Sequence, residues 1–75
     1  MEYFVVLNTE AAPIVSDTVK EFIDAPTPEE AAIKAIKKSW SAFAVVVHKD
    51  ANTFEKGEPP LYRWLSAKAI KQAND

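Results

Sequence analysis

The sequence predicts an α+β domain, a two-layer sandwich in which one main helix packs on an antiparallel four-stranded sheet in the order β-β-α-β-β. Short runs of β-branched and aromatic residues lie towards both ends of the chain, and one segment with clear helix-start signals lies between them. The length of 75 residues is enough for one domain only. We therefore treat residues 1–75 as a single small domain.

The first strand is predicted over Glu2–Asn8, because EYFVVLN is rich in β-branched and aromatic residues without helical spacing. The segment TEAAPIVSD follows, and its Pro13 cannot donate to a central ladder, so it is interpreted as a hairpin loop. The second strand is predicted over Thr18–Ala25. Each face of this strand carries a residue that does not fit its neighbours, which is typical of the edge of a sheet.

The clearest element is a helix within residues 27–40, TPEEAAIKAIKKSW. Thr27 is the predicted N-cap, Pro28 fixes the first helical φ, and Glu30 completes a capping box. The stripe expected to face the sheet consists of Ala32, Ile33, Ile36 and Trp40.

The second half of the chain predicts two more strands. AFAVVVHK, residues 42–49, forms the third strand, and LYRWLS, residues 61–66, forms the last. The intervening KDANTFEKGEPP is interpreted as a polar loop with a turn at residues 56–58. The final segment, residues 67–75, is expected to form a short C-terminal helix at most.

Composition narrows the classes of function. Nine basic and eleven acidic residues give a net charge of -2, which disfavours nucleic acid as a partner. The chain contains no cysteine, which fits a reducing compartment. The apolar run in the first strand is too short for a signal peptide or a membrane span, so we expect a cytoplasmic protein that does not associate with a membrane.

The residues that carry chemistry are too few and too scattered for catalysis. His48 is the lone histidine, and neither a second histidine nor a cysteine could complete a zinc site with it. The serines have no triad context, and Gly57 alone cannot build a phosphate-binding loop. We expect no enzymatic activity, no cofactor and no metal.

The third strand poses a question, because both of its faces are apolar. The helix is expected to cover one face, formed by Phe43, Val45, Val47 and by Tyr3, Val5, Leu7. The residues that would then face outward are Phe4, Val6, Phe22, Ala44 and Val46. Three covers are possible: the C-terminal helix, a second copy of the chain, or a different protein. The terminal segment offers little apolar area, so association is favoured.

Two further groups are candidates for binding. Tyr62, Arg63 and Trp64 are residue types found at interface hot spots and in stacking platforms for single-stranded nucleic acid, although Tyr62 and Trp64 can also simply pack on the helix. Lys34, Lys37 and Lys38 form a basic strip that suits an anionic partner or a solvated helix face.

The predicted function is a small non-enzymatic protein that acts by protein–protein association, as a homodimer, accessory subunit, adaptor or inhibitor. It would use the apolar sheet face and the aromatic strand near the C-terminus. The alternative is a nucleic-acid-associated module that uses Tyr62, Arg63, Trp64 and the basic strip of the helix.

Overall fold

The computed structural model describes residues 1–9, 17–38 and 42–66, which form an antiparallel four-stranded sheet and two helices. The elements are β1 (Glu2–Thr9), β2 (Asp17–Asp24), α1 (Pro28–Lys38), β3 (Ala42–His48), α2 (Ala51–Glu55) and β4 (Tyr62–Leu65). The predicted α+β class, with the main helix packed on the sheet, is confirmed. The predicted C-terminal helix lies outside the described residues. Within the described ranges, no helix is long and apolar enough to cross a membrane.

The strand order is β2-β1-β3-β4, and every pair is antiparallel. The predicted pairings of the first two and of the last two strands are both present. The pairing that joins these halves is between β1 and β3, in which Val5 lies opposite Val47 and Leu7 opposite Val45. As a result β1 and β3 are central, and β2 and β4 are the edges of this sheet.

The start of α1 follows from the predicted capping. The backbone N–H of Glu30 donates to Thr27 Oγ1 at 3.2 Å, and the N–H of Ala31 donates to the Thr27 carbonyl at 3.1 Å. The Thr27 side chain thus satisfies one N–H that a helix N-terminus leaves without an intrahelical partner, and the Thr27 carbonyl accepts the first hydrogen bond of the helix. Pro28 begins the helix, as its fixed φ predicts.

The face that α1 presents to the sheet differs from the predicted one. Its buried residues are Ala31, Ala32 and Ala35. Ala32 is buried and Ile36 packs against the core, as predicted, but Ile33 is 42% exposed. The sheet already supplies bulky side chains, so small alanines let the helix backbone approach closely and fill the space without overpacking. Trp40, the last member of the predicted stripe, lies outside the described residues.

The core between α1 and the sheet contains most of the predicted sheet residues. These are Tyr3, Val5, Leu7, Ile23, Ala25, Val45 and Val47, with Tyr62 and Trp64 packed beside them. Ala42, and not Phe43, packs against this core at the start of β3. The β1–β3 register shifts between Asn8 and Thr9, where Ala44 pairs with Asn8 but Ala42 pairs with Thr9. Such a bulge breaks the strict alternation that placed Phe43 on the helix face.

The predicted polar loop at 49–60 contains the helix α2, which the sequence reading missed. Asp50 is its N-cap and accepts a hydrogen bond from the Thr53 backbone N–H at 2.8 Å. Gly57 has a φ of 73°, and its N–H donates to the Phe54 carbonyl at 3.1 Å, while the Glu58 N–H donates to the Thr53 carbonyl at 3.1 Å. This pair of bonds is the Schellman arrangement, in which glycine accommodates the left-handed backbone after the helix.

Candidate protein-binding surface

The sheet has a second face, turned away from α1, and the strand registers define it. Phe4 lies opposite Phe22 on one neighbouring strand and opposite His48 on the other. Val6 lies opposite Lys20 and Val46 in the same way. Because side chains alternate along each strand, these residues share one face, and the predicted apolar set on this side of the sheet is brought together.

Three phenylalanines and the histidine pack together at one end of this face, and we call Phe4, Phe22, His48 and Phe54 the Phe54 cluster. The ring of Phe4 lies 5.2 Å from that of Phe22 and 5.6 Å from that of Phe54, centroid to centroid. The His48 ring meets Phe54 edge-on at 5.3 Å. These separations and tilted angles are the ones that aromatic quadrupoles favour.

The helix α2 places Phe54 in this cluster. Thr53 Oγ1 donates to the Asp50 carbonyl at 2.9 Å and lies 3.5 Å from His48 Nδ1, so the first turn of α2 contacts the end of β3. The capping bonds at both ends fix the helix although it has a single turn. Phe54, a residue of the same chain, therefore covers part of the second face. The sequence analysis did not predict this cover.

Most of the residues predicted on the second face are wholly or partly buried, so a partner could contact only part of that face. Phe4 and Val6 lie on the second face as expected, but they are buried, at 8% and 5% exposed. Ala44 and Val46 are half-buried. Phe22, in contrast, is 57% exposed although one side of its ring packs on Phe4. Of the five predicted face residues, Phe22 offers the largest accessible apolar surface.

Lys20 lies beside the cluster on the same strand as Phe22. Its Nζ lies 5.3 Å from the centre of the Phe54 ring, which is within the range of a cation–π contact. The Lys20 side chain is exposed at the sheet edge. The exposed part of the second face at β2 is therefore an aromatic ring next to a cation.

The predicted trio on β4 does not share one surface. Tyr62 and Trp64 are half-buried against the core under α1, whereas Arg63 is exposed on the second face opposite Val46. Leu61 and Leu65, at either end of β4, are large exposed apolar residues. Two adjacent aromatic rings beside a cation, as a nucleic-acid stacking platform requires, are not presented together here.

Two of the three lysines in the basic strip on α1 contact groups on β2. Lys34 Nζ donates to the backbone carbonyl of Asp24 at 2.7 Å, which ties α1 to the end of β2. Lys38 Nζ lies 3.6 Å from a carboxylate oxygen of Glu21, in an exposed pair of the kind that contributes little. Lys37 is exposed on the same helix.

The end of β2 carries one perturbed acid. Asp24 Oδ1 accepts a hydrogen bond from the Met1 ammonium at 2.8 Å. This bond, followed by the charge of the same ammonium and a smaller contribution from Lys34, lowers the pKa of Asp24 below its usual range. Asp24 is therefore a firmly ionised carboxylate at the exposed edge of the sheet.

The backbone of β2 also faces outward. The Ala25 N–H donates to the Met1 carbonyl at 2.9 Å. In an antiparallel pair every second residue bonds to the neighbouring strand, so this bond shows which residues of β2 bond to β1. Residues 19, 21 and 23 then bond to β1, while Lys20, Phe22 and Asp24 direct their N–H and C=O groups away from it. The Asp24 carbonyl accepts its bond from Lys34 in agreement with this direction.

The described residues were also compared with the requirements of a metal site. Across residues 1–9, 17–38 and 42–66, no group of three or more histidine, aspartate or glutamate side chains could hold a metal ion. His48, the last residue of β3, is buried beside the Phe54 ring and Thr53. No known family model, curated protein or solved structure matches this chain.

Proposed function

We propose that this chain acts by binding another protein chain through the second face of its sheet, without catalysing a reaction. One observation carries the proposal: Phe22, on an edge strand, is 57% exposed while its ring packs on the buried Phe4. A large aromatic that is held in place by a buried neighbour loses little freedom on binding, which is typical of interface hot spots.

The surroundings of Phe22 support the same function. Lys20 beside it supplies a cation, and the backbone groups of both residues point out of the sheet. An exposed strand edge is a template for another chain, and main-chain hydrogen bonds to it add affinity that does not depend on side chains. The lack of cysteine supports a cytoplasmic setting for this binding.

The alternative of a nucleic-acid module has no specific support. Tyr62 and Trp64 pack under α1, and Arg63 lies on the opposite face of the sheet. Lys34 and Lys38 contact groups on β2. The net charge of -2 provides no general attraction to phosphates.

The experiment is site-specific photo-crosslinking in the native host. A chain with benzoylphenylalanine in place of Phe22 should give a discrete adduct of higher mass on irradiation. The matched control carries the same group in place of Ile33, which is also a large exposed apolar residue but lies on α1. Excess unlabelled chain should suppress the adduct, and excess Phe22→Ser chain should not. The absence of an adduct from position 22, or equal adducts from both positions, would contradict the proposal.

A further inference from the structure

We propose that the partner is a second copy of this chain, and that the two copies pair antiparallel along β2 with Phe22 opposite Phe22. This inference rests on the proposed function and specifies its partner. The pairing would join two four-stranded sheets into one sheet across a two-fold axis.

The length and direction of β2 suit this pairing. β2 has eight residues, whereas β4, at the other edge, has four. Lys20, Phe22 and Asp24 carry the outward-directed backbone groups, and their side chains share the second face. When two such residues lie opposite each other in an antiparallel pair, they exchange two backbone hydrogen bonds.

The charges on β2 select the register. A two-fold axis perpendicular to the sheet keeps each face on its own side, so only residues of the same face can lie opposite each other. Pairing centred on Lys20 would set two ammonium groups opposite each other, and pairing centred on Glu21 would do the same with two carboxylates. Like charges in directly opposite positions are destabilising.

Pairing centred on Phe22 avoids both repulsions. It sets the two exposed phenylalanine rings against each other at the axis and places Lys20 of each copy opposite Asp24 of the other. Two symmetric ion pairs would then flank an aromatic pair on the second face. Pairing centred on Ile23 would instead oppose Phe22 to Asp24 and lose both ion pairs. Charge complementarity therefore favours the Phe22-centred register.

The groups already bound to Asp24 are compatible with this arrangement. Its side chain is 84% exposed and accepts from the Met1 ammonium at Oδ1. A carboxylate offers about four acceptor positions, so Lys20 of the second copy can share it. The Asp24 carbonyl, bound by Lys34, has a second lone pair for a backbone N–H of the second copy.

The first test is a charge swap followed by mixing. Lys20→Asp sets two acids opposite each other at both flanks of the proposed interface, and Asp24→Lys sets two bases there. Each variant alone should dimerise about tenfold or more weakly than the original chain, measured by light scattering over concentrations up to about 0.5 mM. An equimolar mixture of the two variants should dimerise again, because every flank then joins an acid to a base.

Recovery on mixing is a readout that misfolding of either variant could not produce. Lys37→Asp serves as the matched control, because it makes the same charge change on the exposed part of α1 and should leave dimerisation unchanged. A mixture that stays as weak as the separate variants would overturn the proposed register.

The second test exploits the absence of cysteine. Single cysteines at positions 20, 21, 22 and 23 are oxidised in separate samples. In the Phe22-centred register only position 22 lies opposite itself, and the other positions are too far from their equivalents to bridge. The disulfide-linked dimer should therefore form fastest with Phe22→Cys.

The outcomes separate this inference from the proposed function. A dimer whose cysteines link best at another position would overturn the register but leave binding through this edge intact. A chain that stays monomeric and does not link at position 22 would overturn the second copy as the partner. In that case the photo-crosslink from position 22 still decides the proposed function, because its adduct would have a mass other than two chains. No adduct at all would overturn both.

Discussion

Replacing Phe54 by alanine measures how much the cover on the second face contributes to stability. A fully buried phenylalanine costs about 3–5 kcal/mol when truncated to alanine. Phe54 is half-buried, so roughly half of that applies, but its ring also makes edge and tilted contacts with Phe4 and His48 at 5.6 and 5.3 Å. Aromatic pairs of this kind add about 0.5–1.5 kcal/mol beyond burial. We expect a loss of about 2–4 kcal/mol.

That loss is large for a chain of this size. Typical values per residue give a domain of 75 residues about 4–11 kcal/mol of folding free energy. The variant should therefore lower Tm by about 10–30 °C, and the urea midpoint should fall with it. Thermal and urea unfolding, followed by far-UV circular dichroism, measure both.

Two further variants make the result interpretable. Phe54→Leu keeps an apolar side chain without the ring and should lose about 1 kcal/mol. Ile33→Ala removes a large apolar side chain that is 42% exposed on α1 and should change stability by less than about 0.5 kcal/mol. If Phe54→Ala costs no more than Ile33→Ala, Phe54 does not cover the sheet, and the reasoning about the Phe54 cluster is refuted.

Three other predictions concern single positions. Gly57→Ala should cost about 1 kcal/mol in urea unfolding from backbone strain alone, since φ is 73° and an added Cβ meets no atom within 4 Å; an unchanged midpoint would contradict this. Ala35→Leu should cost about 1–3 kcal/mol, because Ala35 is sealed between α1 and the sheet, and a neutral result would mean that the helix can move away. The pKa of Asp24 is lowered in the folded chain, so its stabilising contribution is present above the unfolded pKa and is lost as the pH falls through the folded value. Asp24→Asn should therefore be less stable than the original chain at neutral pH and equal to it in acid, and a difference that persists in acid would contradict the assignment.

Elements with strong local signals could be predicted from the sequence. Runs of β-branched and aromatic residues, and the alternation in LYRWLS, located all four strands to within a residue at each end, and Thr27 with Pro28 fixed the start of α1. Alternation assigned Val5 and Val47 to the helix side of the sheet and Phe4 and Val6 to the other. In each case, residues close together in the sequence determine where the element lies or which face of the sheet a side chain occupies.

The rotation of α1 could not be predicted in this way. Ile33 is more apolar than Ala31, so a pattern based on hydrophobicity alone turns the isoleucine inward. The choice depends on volume: the sheet supplies Tyr3 and Trp64, and alanines on α1 leave room for them. That information is carried by residues on other strands.

Part of the candidate surface was missed for a different reason. α2 has five residues and one large apolar side chain, which is too short for any periodicity. Its caps were nevertheless visible, because Asp50 stands three residues before Thr53 and Gly57 closes the turn. The edge position of β2, in contrast, was predicted from its mixed faces and is confirmed, but alternation alone does not show how much of Phe22 stays exposed there.

The strand order has a consequence for how the chain folds. β1 and β2 pair with each other, as do β3 and β4, and each pairing joins segments that are neighbours in sequence. The ladder between β1 and β3 brings Phe4 opposite His48 and closes a much longer loop, which costs more chain entropy. We expect the two hairpin halves to form early and their docking along β1 and β3 to limit the folding rate. During synthesis β1 emerges well before β3. Until β3 pairs with it, the edge of β1 that is not bonded to β2 is exposed to other chains.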